Sequence, residues 1–223
     1  MTGRFYKVDG ERLVSVTTVL GVINRPGLNA WRARLGNDEA DRIGREAAGI
    51  GTAVHKLCEL LNLGQEPDEL TPEVAPFFLA YRRWLREHVA AVLHAEKLVI
   101  SRTHGFAGTV DLVAVLHGDD APVVLDIKTA NTDFGLHEWG LQTAAYALAL
   151  AEEGVECARR VIVRLPKTEP GKLHVHELPP ERLMYDQHAF RAALALYRWQ
   201  TEAREKPRTA DSMRINFKRG FKR

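Results

Sequence analysis

The spacing of hydrophobic residues changes along the chain, and the change lies near residue 96. Over residues 28–63 apolar positions recur with helical spacing, with breaks near Asn37 and around Gly49–Gly51. The same spacing predicts a further helix over residues 71–96. A short hairpin precedes these helices, so residues 15–95 are predicted to be mostly helical.

Beyond residue 96 apolar and polar residues alternate, which is typical of strands. Five strands are predicted, at KLVISRT, FAGTVDLVAVL, APVVLDIKT, ARRVIVRLP and KLHVHELP. A helix, LHEWGLQTAAYALALAEEG, lies between the third and fourth strands, and a last helix is predicted over residues 181–205. This order predicts one α/β domain over residues 1–205, with its core at 96–180 and helices on the faces of the sheet.

Composition places few limits on function. The chain has 223 residues, of which 45% are apolar, and a formal net charge of +2, which neither requires nor excludes a polyanionic partner. No apolar run is long enough to span a membrane and no signal segment is evident, so a soluble cytoplasmic protein is expected. The two cysteines, Cys58 and Cys157, are too few for a disulfide framework or a four-cysteine metal site.

The C-terminal stretch 206–223 is basic and lacks a helical period. From Met213 it carries five basic residues and no acid, with Phe217 and Phe221 among them. Basic residues interleaved with aromatic ones suit a nucleic-acid strand, whereas a terminal run of charge is also typical of a solvated tail. Both interpretations are open on the sequence.

Three charged residues interrupt the second and third predicted strands. Asp111 lies within FAGTVDLVAVL, and Asp126 and Lys128 lie within APVVLDIKT. Since side chains alternate along a strand, Asp126 and Lys128 share one face, and a hairpin through HGDD can bring Asp111 opposite Asp126. Two carboxylates buried together need a positive charge nearby, which Lys128 or a divalent cation can supply.

The spacing alone leaves a structural explanation open. A buried salt bridge between Asp126 and Lys128, with Asp111 capping a turn, would produce the same pattern. The apolar residues that surround the pair favour function, because polar groups placed at a cost inside a core usually have a role there. We therefore interpret Asp111, Asp126 and Lys128 as functional residues, and the family resemblance described next implies that they are catalytic.

An aspartate on one strand, followed by Asp-x-Lys on the next, resembles the PD-(D/E)XK nuclease superfamily. The stretch Gly108-Thr109-Val110-Asp111 stands in place of Pro-Asp, as is common in the RecB-like branch. The opening SVTTVL and Trp31 are similar to the helical lead-in of phage-type and mitochondrial genome maintenance-type exonucleases. The resemblance implies a restriction-endonuclease-like core, a mixed central sheet flanked by helices, with a helical N-terminal region.

Three further motifs resemble the RecB-like branch. GTAVH places His55 on a helix like the Gly-x-x-x-His motif of the branch. HAEKLV places Glu96 just before the first core strand, where the branch often has an acid. QTAAY places Gln142 and Tyr146 four residues apart on one face of a helix, like a Gln-x-x-x-Tyr motif. The resemblance extends over about residues 15–146.

The resemblance implies a metal site. Asp111, Asp126 and the main-chain carbonyl of Ile127 would bind Mg²⁺ or Mn²⁺, both of which prefer oxygen ligands. His55 would add an imidazole nitrogen and shift the preference toward Mn²⁺. Glu96 would reach the metal directly, through water, or at a second ion. On the sequence alone His55 is also consistent with a core histidine, and Glu96 with a solvated residue.

The resemblance also implies residues that act on the substrate. Lys128 would hold the attacking water and balance the charge of the phosphate. Gln142 and Tyr146 would either support Lys128 or contact the DNA backbone, and Thr129 would either contact a phosphate or simply end its strand. His137 and Trp139 could stack on a base, although Trp139 is more typical of core packing.

The sequence thus predicts a metal-dependent DNA nuclease that hydrolyses phosphodiester bonds. The resemblance implies an exonuclease acting on single-stranded DNA with a free end, in repair, recombination or replication. No helicase motif is present, so unwinding of a duplex would need a separate helicase or recombination partner. The alternatives are a structure-specific endonuclease on the same core, a nucleic-acid-binding module that does not cleave, and a scaffold subunit of a recombination complex.

Overall fold

The computed structural model of the protein describes residues 3–205, and the basic stretch 206–223 lies outside the described residues. Within this range seven strands form one sheet, and helices cover both of its faces. The strands are β1 (Phe5–Val8), β2 (Glu11–Ser15), β3 (Val89–Ser101), β4 (Phe106–Leu116), β5 (Val123–Lys128), β6 (Arg159–Arg164) and β7 (His174–Leu178). The helices are α1 (Val16–Leu20), α2 (Pro26–Leu35), α3 (Asn37–Asn62), α4 (Ala75–His88), α5 (Leu136–Glu152) and α6 (Leu183–Glu205).

The sheet is mixed and is organised around the long strand β4. β3 runs antiparallel along one edge of β4. On the other edge, β2 pairs in parallel with Phe106 and Ala107, and β5 pairs antiparallel from Leu112 onward. β6 lies parallel to β5, and β7 is antiparallel to β6. This confirms the predicted mixed sheet flanked by helices, and it leaves a fork on one edge of β4 between β2 and β5.

Two hydrophobic cores lie on opposite faces of the sheet. Side chains from α1, α5 and α6 form one core with residues such as Val113 and Val124. Side chains from α3 and α4 form the other with residues such as Leu112 and Leu125. Neighbouring residues of β4 and β5 thus alternate between the cores, as expected for a sheet that is buried on both faces. No helix within residues 3–205 is both long enough and apolar enough to span a membrane.

The predicted helix over residues 71–96 is wrong at both ends. α4 begins at Ala75 and ends at His88, and the chain continues directly into β3. Ala, Leu, Glu and Lys favour a helix locally, but β3 pairs along the full length of β4, and this pairing overrides local propensity. The sequence predicted Glu96 just before the first core strand, but Glu96 lies within β3 itself.

The predicted break around Gly49–Gly51 is also wrong, because α3 runs through it without interruption. Glycine costs about 1 kcal/mol relative to alanine inside a helix, so packing must compensate for it here. A Cβ atom on Gly51 would lie 2.8 Å from Oγ1 of Thr129 at the end of β5. Glycine at this position therefore lets α3 approach the strand that carries Asp126 and Lys128.

Two substitutions on α3 test this close approach. The Cβ atom added by Gly49→Ala would have no neighbour within 4 Å, so we expect this substitution to stabilise the protein by up to about 1 kcal/mol through helix propensity alone. Gly51→Ala should show no such gain, because the new methyl group must displace Thr129. Chemical denaturation measures both. Equal stabilisation by the two substitutions would contradict the packing described for Gly51.

Candidate active site

The fork on the edge of β4 places two aspartates side by side. Leu112 pairs with Leu125, and one further step along the hairpin brings Asp111 level with Asp126. Beyond this step the strands separate, and the main-chain N–H of Ile127 donates to Oδ2 of Asp111 at 2.7 Å. The Asp111 carboxylate thus satisfies a backbone donor where regular pairing ends, which fixes its position at the fork.

Asp111 forms a compact cluster with His55 from α3 and Glu96 from β3. Nε2 of His55 lies 3.2 Å from Oδ2 of Asp111, and one atom from each of the three residues lies within 4.8 Å of the others. Glu96 has a positive φ of 48°, a backbone conformation that non-glycine residues seldom adopt. Its Oε1 is buried and has no hydrogen-bond partner within the described residues. The cluster therefore contains an acceptor that nothing in the described chain satisfies.

The protonation of this cluster reflects burial of Glu96 and the closeness of His55 to Asp111. Burial and, to a lesser extent, the nearby Asp111 together raise the pKa of Glu96 from 4.5 to about 7. The hydrogen bond that His55 donates to the Asp111 carboxylate raises the pKa of His55, against the opposing effect of burial. Both shifts favour the protonated forms of Glu96 and His55.

Asp126 and Lys128 form a separate pair on the side of β5 that faces α5. Asp126 is fully buried, and its Oδ2 lies 2.6 Å from Nζ of Lys128. Burial raises the pKa of Asp126, and Lys128 partly offsets this by favouring the carboxylate. Asp126 does not belong to the compact cluster of His55, Glu96 and Asp111, so the five predicted metal ligands are not all in one group.

Gln142 on α5 joins the two members of this pair. Its Nε2 donates to Oδ1 of Asp126 at 2.9 Å and to the hydroxyl of Tyr146 at 2.9 Å. Its Oε1 accepts from Nζ of Lys128 at 3.1 Å. The reversed amide would direct its oxygen at a carboxylate and its N–H groups at an ammonium, so the charges select one orientation. Gln142 therefore fixes the position of both charged groups.

Gln142 and Tyr146 lie beneath the site and not at its surface. Their exposed fractions are 8% and 3%, and the Tyr146 ring lies against Gly108 of β4, where a Cβ atom would come within 2.5 Å of it. Burial strongly raises the pKa of the Tyr146 hydroxyl, which stays neutral. Of the two roles considered for these residues, this placement favours support of Lys128 over contact with DNA.

Two supporting residues were missed by sequence reasoning. The Tyr81 hydroxyl on α4 donates to Oδ1 of Asn62 at 2.7 Å, and Nδ2 of Asn62 donates to the carbonyl of Asp111 at 3.4 Å. Both residues are buried, and together they connect α3 and α4 to the backbone of the site. The one available signal was an asparagine at the end of an amphipathic helix, and that position is equally typical of a helix terminus.

A groove of about 670 Å³ lies at the surface of the site, between α3 and the end of β5. Its walls include the predicted residues His55, Ile127, Lys128 and Thr129. They also include two lysines that sequence reasoning did not single out, Lys56 on α3 and Lys167 after β6. The groove therefore has three lysines along it, together with Glu59, which pairs with Lys56. His55 is the member of the acidic cluster (His55, Glu96 and Asp111) that lies in its wall.

Comparisons with known proteins bear on the family and the fold. A family model described as the PD-(D/E)XK nuclease superfamily matches residues 30–218. A solved structure from Eubacterium rectale, named as a candidate exonuclease, superposes with a TM-score of 0.50 at 12% identity, covering 78% of this chain and 76% of that chain. The solved structure of SSO0001 has a TM-score of 0.38 at 14% identity, covering 82% and 77% of the two chains.

These matches differ in what they show. At 12% identity the E. rectale structure supports the fold alone, and SSO0001 is too distant to add to it. No protein with curated annotation matches the chain. The family model, in contrast, extends over most of the sequence, including every residue of the acidic cluster and of the Asp126–Lys128 pair. The chain belongs to the PD-(D/E)XK nuclease superfamily.

Proposed function

We propose that this nuclease is a metal-dependent exonuclease that hydrolyses phosphodiester bonds of single-stranded DNA, with residues 1–205 forming one nuclease domain. The observation that carries the proposal is the position of the acidic cluster beside the buried Asp126–Lys128 pair, at one lysine-lined groove. Anionic DNA would be attracted to the lysines, and a phosphate held in the groove would be beside His55 of the cluster. The preference for single strands and free ends rests on the resemblance of the motifs to RecB-like exonucleases.

The acidic cluster suits a divalent cation. Its donors are a histidine nitrogen and carboxylate oxygens, a set that fits Mn²⁺ and Mg²⁺. The buried Oε1 of Glu96, which has no partner within the described residues, is an acceptor that a cation could satisfy. We propose that His55, Glu96 and Asp111 hold the cation, with Asp126 and the Ile127 carbonyl completing the ligand set. A bound cation would stabilise charge on the phosphate and make water more acidic.

Lys128 is proposed to act on the substrate. Its ammonium group would position the attacking water and balance the charge that builds up on the phosphate during hydrolysis. The hydrogen bond to Gln142 and the ion pair with Asp126 restrict the lysine to one position, which reduces the reorganisation needed on reaction. Gln142 is thus proposed as a positioning residue, and Thr129 as a contact for phosphate at the groove.

Cleavage of linear and circular single-stranded DNA tests the proposal. With Mg²⁺ or Mn²⁺ we expect an end-labelled linear strand to be degraded and a closed circle to survive, because an exonuclease needs an end. EDTA should stop the reaction. Lys128→Ala should lower kcat by about 100- to 1000-fold, as for loss of other groups that stabilise a transition state. Lys172→Ala, at an exposed lysine paired with Glu169, is the control and should behave as wild type.

Each other outcome has a distinct meaning. Cutting of the circle would show an endonuclease on the same core. DNA binding without any metal-dependent cleavage would favour a binding module, and the nuclease proposal would then be wrong. Wild-type rates in Lys128→Ala would contradict the role given to that lysine.

The raised pKa of Glu96 predicts a pH-dependent stability in the absence of metal. Because its folded pKa of about 7 lies above the usual value of 4.5, the stability linked to the protonated form is complete below 4.5 and is lost as pH rises through about 7. Glu96→Gln removes this titration. The variant should therefore melt higher than wild type near pH 8, while the two proteins should melt closer together near pH 5.

Added metal should reverse that order near pH 8. At about 100 times its dissociation constant, Mn²⁺ should raise the melting temperature of wild type by about 5–10 °C. Glu96→Gln should gain less than half of this, because it has lost a ligand. Glu87→Gln, at an exposed acid of α4, provides the control. An equal Mn²⁺ response in Glu96→Gln and wild type would show that Glu96 is not a ligand.

A further inference from the structure

Phe134 is the most exposed large hydrophobic residue within the described part of the chain. Its exposed fraction is 90%, and the next highest is 64%, at Tyr185. It lies in the loop between β5 and α5, six residues after Lys128. At about 3.3–3.6 Å per residue, its Cα lies within about 20 Å of that of Lys128. The ring is therefore within a few nucleotides of the groove.

The start of this loop is anchored to the segment that carries a groove lysine. Arg164 on β6 is 8% exposed and donates from Nη1 to the carbonyls of Ala130 at 3.1 Å and Asn131 at 3.2 Å. Oδ1 of Asn131 accepts from the main-chain N–H of Thr168 at 3.2 Å. The loop and the segment around Lys167 are thus held together beside the groove.

The end of the loop is anchored to α5. The N–H of Leu136 donates to the carbonyl of Asp133 at 2.8 Å, and the N–H of Trp139 donates to the carbonyl of Gly135 at 2.9 Å. Gly135 lies directly on the Trp139 indole, where a Cβ atom would come within 2.5 Å of the ring. Trp139 is thus engaged with its own loop, while Phe134, between two anchored points, presents its ring to solvent.

We propose that Phe134 is a stacking platform for an unpaired nucleobase of the DNA strand that lies in the groove. This inference rests on the proposed nuclease function and specifies its substrate. The groove lysines suit the phosphates of any nucleic acid, but they offer no flat surface to a base. An exposed aromatic ring offers such a surface to any of the four bases. In a duplex the faces of the bases are already covered by their neighbours, so this platform selects single strands.

A single exposed aromatic residue is common on protein surfaces and by itself has no functional meaning. Two features distinguish Phe134. Its loop is held at both ends by the hydrogen bonds described above, so exposure of the ring is not the consequence of a loose segment. The loop also follows Lys128 directly, and Thr129 at its start lies in the groove wall. A strand seated on the lysines would therefore pass close to the ring.

Kinetics and an abasic scan test the platform together. The substrates are single-stranded oligonucleotides that carry one abasic site, moved one position at a time away from the end that is cleaved. For wild type with Mn²⁺ we expect one abasic position to raise KM by about 10-fold, because one base–aromatic stack is lost. For Phe134→Ala, KM on the intact strand should rise by a similar factor with kcat little changed. In Phe134→Ala, an abasic site at that position should then raise KM no further.

Conservative and distant substitutions complete the test. Phe134→Trp should restore both the low KM and the sensitivity to the abasic site. Trp199→Ala removes another exposed aromatic ring, 63% exposed on α6, and should leave both unchanged. The melting temperature of Phe134→Ala should equal that of wild type, since the ring is almost entirely in solvent.

The outcomes separate this inference from the proposed function. If wild type degrades the strand and Phe134→Ala retains the wild-type KM and abasic profile, the stacking inference is wrong and the nuclease proposal stands. If wild type cleaves no DNA with either metal, the nuclease proposal is wrong. In that case the anisotropy of the DNA strand, measured in EDTA, decides the stacking inference. Weaker binding by Phe134→Ala than by wild type supports it. The inference is contradicted if Phe134→Ala binds the strand as tightly as wild type does, or if wild type does not bind the strand.

Discussion

The buried ion pair between Asp126 and Lys128 is the constraint on which the rest of the site depends. A carboxylate removed from water is costly unless charge and hydrogen bonds compensate for it. Lys128 supplies the charge at 2.6 Å, and Gln142 supplies a hydrogen bond while also holding the lysine. Removal of Lys128 would leave the buried carboxylate of Asp126 without a compensating charge. The pair therefore dictates where α5 lies, because α5 must present Gln142 to β5 and the ring of Tyr146 to β4.

The fork of the sheet adds the second half of the site. Because β2 and β5 occupy different stretches of one edge of β4, the backbone of Ile127 leaves the sheet just where Asp111 can accept from it. The same carboxylate lies beside His55 and the unsatisfied oxygen of Glu96. One half of the site thus has a built-in lysine, while the other has an excess of negative charge. A divalent cation would bind the half that is rich in carboxylates, and an anionic substrate would bind beside the lysine.

Much of the core could be predicted from the sequence, because short runs rich in apolar and β-branched residues identified β4, β5 and β6, which are buried on both faces. The spacing of Asp126 and Lys128 placed them on one face, and the hairpin brought Asp111 level with them. The first core strand could not be delimited, since residues 89–96 have helical composition and become a strand only by pairing with β4. For the same reason Glu96 could not be placed within that strand.

Other features depended on contacts between distant parts of the chain. The close approach of Gly51 to Thr129 and the link from Tyr81 through Asn62 to Asp111 leave no local pattern in the sequence. The exposure of Phe134 was equally hidden, because the sequence does not show which of two nearby aromatic residues its loop will cover. Trp139, considered earlier for base stacking, lies against Gly135 instead.

The position of the cation is the central claim, and crystals soaked in Mn²⁺ test it most directly. Anomalous scattering from manganese should give one peak within coordination distance of His55, Glu96 and Asp111, and the same crystals of Glu96→Gln should show a weaker peak. Manganese bound elsewhere in the groove, or its absence from a groove open to solvent in the lattice, would contradict the account.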